Sequence, residues 1–97
     1  MGLTLSKIYK NDIGTVIRID MQNDITTATT ETLYYKKPSG ATGQWTPSVS
    51  GTNYYEYQSI AGDFDEVGTY LVQPYLEIGD FEGYGNTVQF TVLDQFE

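Results

Sequence analysis

The sequence predicts an all-β sandwich of about seven antiparallel strands, and three observations predict it. No segment carries apolar residues at the 3.6-residue period of a helix, whereas several alternate apolar and polar with period 2. Those segments recur every roughly 8–12 residues between clusters of Gly, Pro, Asn and Asp, which is sandwich spacing. The third observation is Asp63-Phe64-Asp65-Glu66-Val67-Gly68-Thr69-Tyr70-Leu71-Val72, an acidic turn that passes through a Gly into a strand. A Tyr two residues before a core position of such a strand, here Val72, turns its hydroxyl back to the upstream backbone. It thereby pins the corner of an immunoglobulin-like sandwich. Asp63, Asp65, Gly68 and Tyr70 are therefore read as a structural corner, and the expected architecture is an immunoglobulin-like β-sandwich.

The elements follow in order. Leu3 to Ile8 reads as a first strand, and Lys10-Asn11-Asp12 as a turn ended by Ile13-Gly14. Thr15 to Met21 alternates, with Ile17, Ile19 and Met21 on one face and Val16, Arg18 and Asp20 on the other. Gln22 to Thr30 is polar and Thr-rich and is read as a loop. Thr32 to Lys37 places Leu33 and Tyr35 inward, and Pro38-Ser39-Gly40 closes it as a tight turn. Gln44 to Val49 is expected to be one short edge strand carrying Trp45, because Pro47 cannot donate to a ladder. Gly51-Thr52-Asn53 turns the chain into a strand from Tyr54 to Ile60, with Tyr55 and Tyr57 on one face. After the corner at Ala61 to Gly68, Thr69 to Ile78 is the longest strand, with Tyr70, Val72, Leu76 and Ile78 on the core side. Pro74 inside it removes a ladder hydrogen bond, so a bulge is expected at Gln73-Pro74. Gly79 to Asn86, with three Gly, is read as a hairpin loop. Thr87 to Leu93 is the last strand, with Val88, Phe90 and Val92 inward. Its outward Thr87, Gln89 and Thr91 carry no charge, which suits a strand edge that pairs with a neighbour.

Composition bounds the chemistry. The 97 residues suit a single domain, 1–97, with one modest core. Five basic against 13 acidic residues leave a net charge of −8. That balance disfavours nucleic acid, which is held by Lys and Arg on phosphates, and anionic membrane surfaces. Neither Cys nor His occurs. Disulfides, thiolate nucleophiles, the usual neutral-pH base and the commonest metal ligand are thereby absent, and no cofactor is expected. The start, Met1-Gly2-Leu3-Thr4, lacks the basic and apolar pattern of a signal peptide, and no apolar run is long enough to span a membrane.

Four groups of residues are candidates for more than structure. Asp63, Asp65 and Glu66, with Asp12, are the oxygen-rich set on which Ca²⁺ would draw. They lack the ligand spacing of a dedicated loop, so turn and cap bonding is the expected role. Trp45 and Tyr54 are candidates for stacking on a sugar, against the plainer reading that they cover core and strand faces. Asp80 and Glu82 flank Phe81, but paired acid–base carboxylates need a cleft that a small sandwich seldom encloses. The loop residues Asp80, Phe81, Glu82 and Tyr84 are the best interaction candidate, since large aromatics among glycines at a hairpin tip meet either a partner or the sandwich end.

Several of these motifs resemble a known family. Asn11-Asp12-Ile13-Gly14-Thr15, Lys37-Pro38-Ser39-Gly40, Trp45-Thr46 and Ala61-Gly62-Asp63-Phe64-Asp65-Glu66-Val67-Gly68-Thr69-Tyr70 look like the small immunoglobulin-like virion proteins of tailed bacteriophages. The layout is similar to the N-terminal domain of phage baseplate upper proteins. The likeness runs from about Ile8 to Val92. Asn11 stands where a Gly is common, which is compatible with a left-handed turn, and Pro74 stands where a small non-Pro residue is common. The resemblance implies a non-catalytic structural component of tail, baseplate or neck, made in the host cytoplasm and kept in the virion. Its implied partners are other virion proteins, including further copies of the chain. A capsid decoration protein is the nearest alternative. A carbohydrate-binding module that meets a cell-surface glycan is the alternative of another class.

Overall fold

A computed structural model describes residues 7–97. Among these residues nine strands form: β1 (Ile8–Tyr9), β2 (Val16–Asp20), β3 (Thr30–Lys36), β4 (Thr42–Trp45), β5 (Ser48–Ser50), β6 (Tyr54–Gln58), β7 (Gly68–Ile78), β8 (Phe81–Tyr84) and β9 (Val88–Leu93). Among the described residues none is helical. The larger sheet runs β1-β9-β7-β3-β4, with β8 added to β7, and the smaller runs β2-β6-β5. Every pairing is antiparallel except β1 with β9. The all-β expectation with two sheets holds.

Period-2 alternation puts the core between the sheets. Ile17, Ile19 and Tyr55 face inward from the smaller sheet, and Leu33, Val72 and Val92 from the larger. Phe64 from the corner and Ile25 from the 21–29 connection complete it. The connection is a loop, as expected, but it is anchored. Ile25 is buried, and its N–H donates to the Thr52 carbonyl at 2.8 Å.

Three expectations need correction. The strand expected over Gln44 to Val49 is two strands in different sheets. β4 ends at Trp45 on the edge of the larger sheet, and β5 starts at Ser48 on the edge of the smaller. Pro47 lies between them, where the chain leaves one ladder for the other and no N–H is required. The expected loop from Gly79 to Asn86 contains β8, which folds back on β7 through a tight turn at Gly79-Asp80 with Gly79 at φ 56°. These two changes raise the strand number above the expected seven. The part of the first expected strand before Lys7 lies outside the described residues.

Pro74 is the third correction, because no bulge forms. The β3–β7 register is unbroken from Thr30↔Glu77 to Lys36↔Leu71, and Pro74 stands opposite Leu33. On the other side of β7, β9 pairs up to Val72 and β8 takes over from Tyr75. The Pro74 carbonyl accepts the Gly85 N–H at 2.8 Å on that side. The ring nitrogen therefore faces the changeover between two partner strands, where no ladder bond is needed. Thr87 precedes β9, and Gln89 and Thr91 lie on it. β1 reaches only Val92 and Leu93, so on the side away from β7 the stretch Val88 to Thr91 has no partner strand among the described residues.

Candidate interaction surface

The corner binds itself together. The Tyr70 hydroxyl accepts the Glu66 N–H at 3.2 Å, and the Tyr70 ring is buried against Phe64 and stacked on Phe90. Asp65 pairs with the Lys37 ammonium at 2.6 Å, and Lys37 also donates to the Gly62 carbonyl. The Lys37–Asp65 hydrogen bond lowers the Asp65 pKa and raises that of Lys37. Glu66 accepts the Ser39 N–H and hydroxyl at 2.8 and 2.9 Å. Gly68 has φ 132°, and a Cβ there would meet the Pro38 ring at 2.9 Å, so only glycine fits. Asn11, itself at φ 70°, donates its N–H to the Phe64 carbonyl at 2.7 Å, and Asp12 accepts the Tyr9 N–H. The turns at residues 10–14 and 37–40 thus both dock on the corner. Its carboxylates are occupied by protein donors, and no group of three or more metal-ligating side chains occurs among the described residues.

Asp63 joins this end to the core. Its carboxylate accepts from Trp45 Nε1 at 3.1 Å, from the Tyr57 hydroxyl at 2.6 Å and from the Ile60 N–H at 2.9 Å. Trp45 is buried, stacked between Tyr35 at 4.6 Å and Tyr57 at 4.7 Å. Burial and the bond to Asp63 push the Tyr57 phenol pKa up. Burial likewise raises Tyr55, to about 12. The candidate stacking pair of Trp45 and Tyr54 is not assembled. Trp45 presents no free face, and Tyr54 lies on the smaller sheet with the Arg18 guanidinium 4.8 Å over its ring. Arg18 is in turn paired to Glu56 at 3.1 Å.

The opposite end of β7 is different. β8 alternates, so Phe81 and Gly83 share the inner face of the larger sheet with Ile78 and Leu76. Glu82 and Tyr84 share the outer face with Glu77 and Tyr75. Phe81 and Tyr84 remain 52% and 57% exposed, so neither folds away over the sandwich end. Tyr84 meets Tyr75 at 5.1 Å and Tyr34 at 5.9 Å between ring centroids, and Tyr34 meets Tyr75 at 6.3 Å. The Tyr75 hydroxyl donates to Glu82 at 2.7 Å, which holds its pKa high. Tyr34 and Tyr75 were missed as candidates. Their signal was present, since both occupy outward positions of strands whose inward positions were assigned.

These three tyrosines sit on the outer face of the larger sheet. Around them are Thr32, Gln44, Leu71 and Gln73, with a shallow depression of about 610 Å³ beside Tyr34, Gln73 and Tyr84. On the inner side, a groove of about 750 Å³ lies between the 20–25 segment and the β7–β8 hairpin, walled by Met21, Ile25, Leu76, Ile78 and Phe81. Asp80 lies in the exposed turn, and Glu82 is engaged by Tyr75 on the outer face. No family model, no curated protein and no solved structure matches this chain.

Proposed function

We propose that the chain is an immunoglobulin-like sandwich serving as a non-catalytic structural component of a bacteriophage particle, in tail, baseplate or neck, through protein–protein contacts. The observation that carries the reading is the tyrosine-rich, charge-poor outer face of the larger sheet. Interface cores are enriched in Tyr and depleted of charge, and this face has that composition on a chain of net charge −8. Two further features support it. The strand order β2-β6-β5 in one sheet and β9-β7-β3 in the other, with β4 added beyond β3, is compatible with an immunoglobulin sandwich and supports that reading. The motifs that carry the phage resemblance also meet at one place: the turns at residues 10–14 and 37–40 dock on the corner, and Trp45 is bonded to Asp63.

A decoration protein on the capsid would use the same kind of surface, and position on the particle separates the two. The sugar-binding alternative loses its main support with the burial of Trp45. Immunogold labelling of purified particles with an antibody to this chain tests the proposal. The expected result is label at a fixed site on tail, baseplate or neck. Label on the capsid shell favours decoration, and recovery of the chain only in the soluble fraction of infected cells overturns the virion reading.

A further inference from the structure

We propose that the outer face of the larger sheet is a self-association surface, across which two copies of this chain pair with their β7 strands antiparallel. The inference rests on the reading of the chain as a protein–protein contact module and names the partner.

The centre of the face is self-complementary. Tyr34, Tyr75 and Tyr84 are surrounded by Thr32, Gln44 and Gln73. Tyr and Thr hydroxyls and Gln amides each donate and accept, so an identical surface can satisfy them. Such self-matching is what a two-fold interface requires, because the same patch appears on both sides. Tyr34, Leu71 and Tyr84 are 39%, 37% and 57% exposed, which leaves their apolar area to be covered.

Charge sets the orientation. Lys36 stands at one end of the face, opposite Leu71, while Glu77 and its neighbour Glu82 stand at the other. The ends are about 20 Å apart at roughly 3.4 Å per residue, and Pro74 opposite Leu33 marks the midpoint. A two-fold axis running across the strands at that midpoint lays Lys36 of each copy beside Glu77 of the other, with Glu82 one strand further. An axis along the strands would instead set Lys36 against Lys36 and glutamates against glutamates. The first arrangement forms two opposite-charge contacts per dimer, and the second forms only repulsions.

The size suits a weak, reversible contact. The residues of β3, β4, β7, β8 and β9, each about 3.4 Å along and 4.8 Å across, present roughly 500 Å² in plan. That is below the roughly 800 Å² per partner of a standard stable interface and in the range of transient ones. The depression beside Tyr34 and Tyr84 gives a facing side chain somewhere to enter.

Sedimentation velocity on the full chain, from low micromolar to near-millimolar concentration, tests the proposal. The expected result is a reversible monomer–dimer equilibrium with a dissociation constant of micromolar order. Tyr34→Lys, which puts a charge at the centre of the face, is expected to weaken it about a hundredfold. Lys36→Glu and Glu77→Lys are each expected to weaken it about tenfold, and the double variant to return near the parent value. Far-UV circular dichroism and the melting temperature check that each variant folds. A parent chain monomeric throughout, or a dimer indifferent to Tyr34→Lys, overturns the proposal. A double variant no tighter than the single ones overturns the antiparallel pairing. A monomeric chain that still labels particles leaves the virion reading standing, and a dimer that labels none overturns that reading alone.

Discussion

Replacing Asp63 with Ala tests whether one carboxylate holds the corner to the core. The side chain accepts three hydrogen bonds, from Trp45 Nε1, the Tyr57 hydroxyl and the Ile60 N–H. Their losses differ because their access to water differs. Trp45 is buried, so its N–H is left without an acceptor, at about 1–3 kcal/mol. Tyr57 is half-buried and Ile60 exposed, so their donors reach water and each loss is about 0.5–1.5 kcal/mol. Asp63→Ala should therefore cost about 2–6 kcal/mol, a large share of the roughly 5–15 kcal/mol that a single domain commands. Urea unfolding followed by the fluorescence of Trp45, the only tryptophan, measures it. A double-mutant cycle isolates the strongest contact. Tyr57→Phe should cost about 1–2 kcal/mol in the parent and close to nothing in the Asp63→Ala background. A cost below about 1 kcal/mol for Asp63→Ala, or strict additivity in the cycle, refutes the account of Asp63 as the joint.

Two further outcomes are expected. Tyr70→Phe keeps the buried ring but leaves the Glu66 N–H without its acceptor. Because that bond is long at 3.2 Å, and Glu66 is only half-buried, the cost should be about 1 kcal/mol in the same unfolding assay, and no change at all would mean the hydroxyl does not hold the corner. The second concerns alkaline pH. Tyr55, Tyr57 and Tyr70 are raised first by burial, and Tyr75 first by its bond to Glu82. A folded-state pKa above the unfolded value stabilises fully below the unfolded value, here about 10, and the stabilisation is lost as pH rises through the folded one. Stability should hold up to about pH 10 and then fall, with these four phenols ionising only as the chain unfolds. Phenolate absorbance matched against circular dichroism checks this, and a full tyrosine titration completed before any loss of structure would contradict it.

The parts of the fold legible in the sequence are those set by neighbours along the chain. Alternation marked Leu33, Val72 and Val92 as inward, and set Ile17 with Ile19 on one face, because a strand's faces repeat every second residue. The corner was legible because Tyr70 and Glu66 are four residues apart. What could not be read depends on residues that only the fold brings together. Asp63 looked like a turn residue, and its bond to the Ile60 N–H is that role. Its bond to Trp45 crosses 18 residues and had no local signal. Pro74 looked like a bulge by the rule that a Pro within a strand breaks a ladder. The rule fails because β8 and β9 exchange places beside it, which no inspection of Gln73-Pro74 would reveal.

The candidate interaction loop was read as one patch for the same reason. Reading Gly79 to Asn86 as a mobile tip made Phe81 and Tyr84 the natural site. Once β8 pairs with β7, alternation sends those two aromatics to opposite faces of the sheet, so they cannot form one patch. Phe81 walls the inner groove, while Tyr84 joins Tyr34 and Tyr75, which come from strands about 40 residues apart in sequence. The two ends of β7 then have separate roles. The corner end ties up its acidic side chains in internal bonds to Lys37, Ser39, Trp45 and Tyr57. The far end leaves phenol rings facing solvent. A substitution at Asp63 should therefore change stability, and one at Tyr34 should change association with little effect on folding. A Tyr34 variant that loses stability as Asp63→Ala does would mean the tyrosine face is part of the scaffold rather than a surface laid upon it.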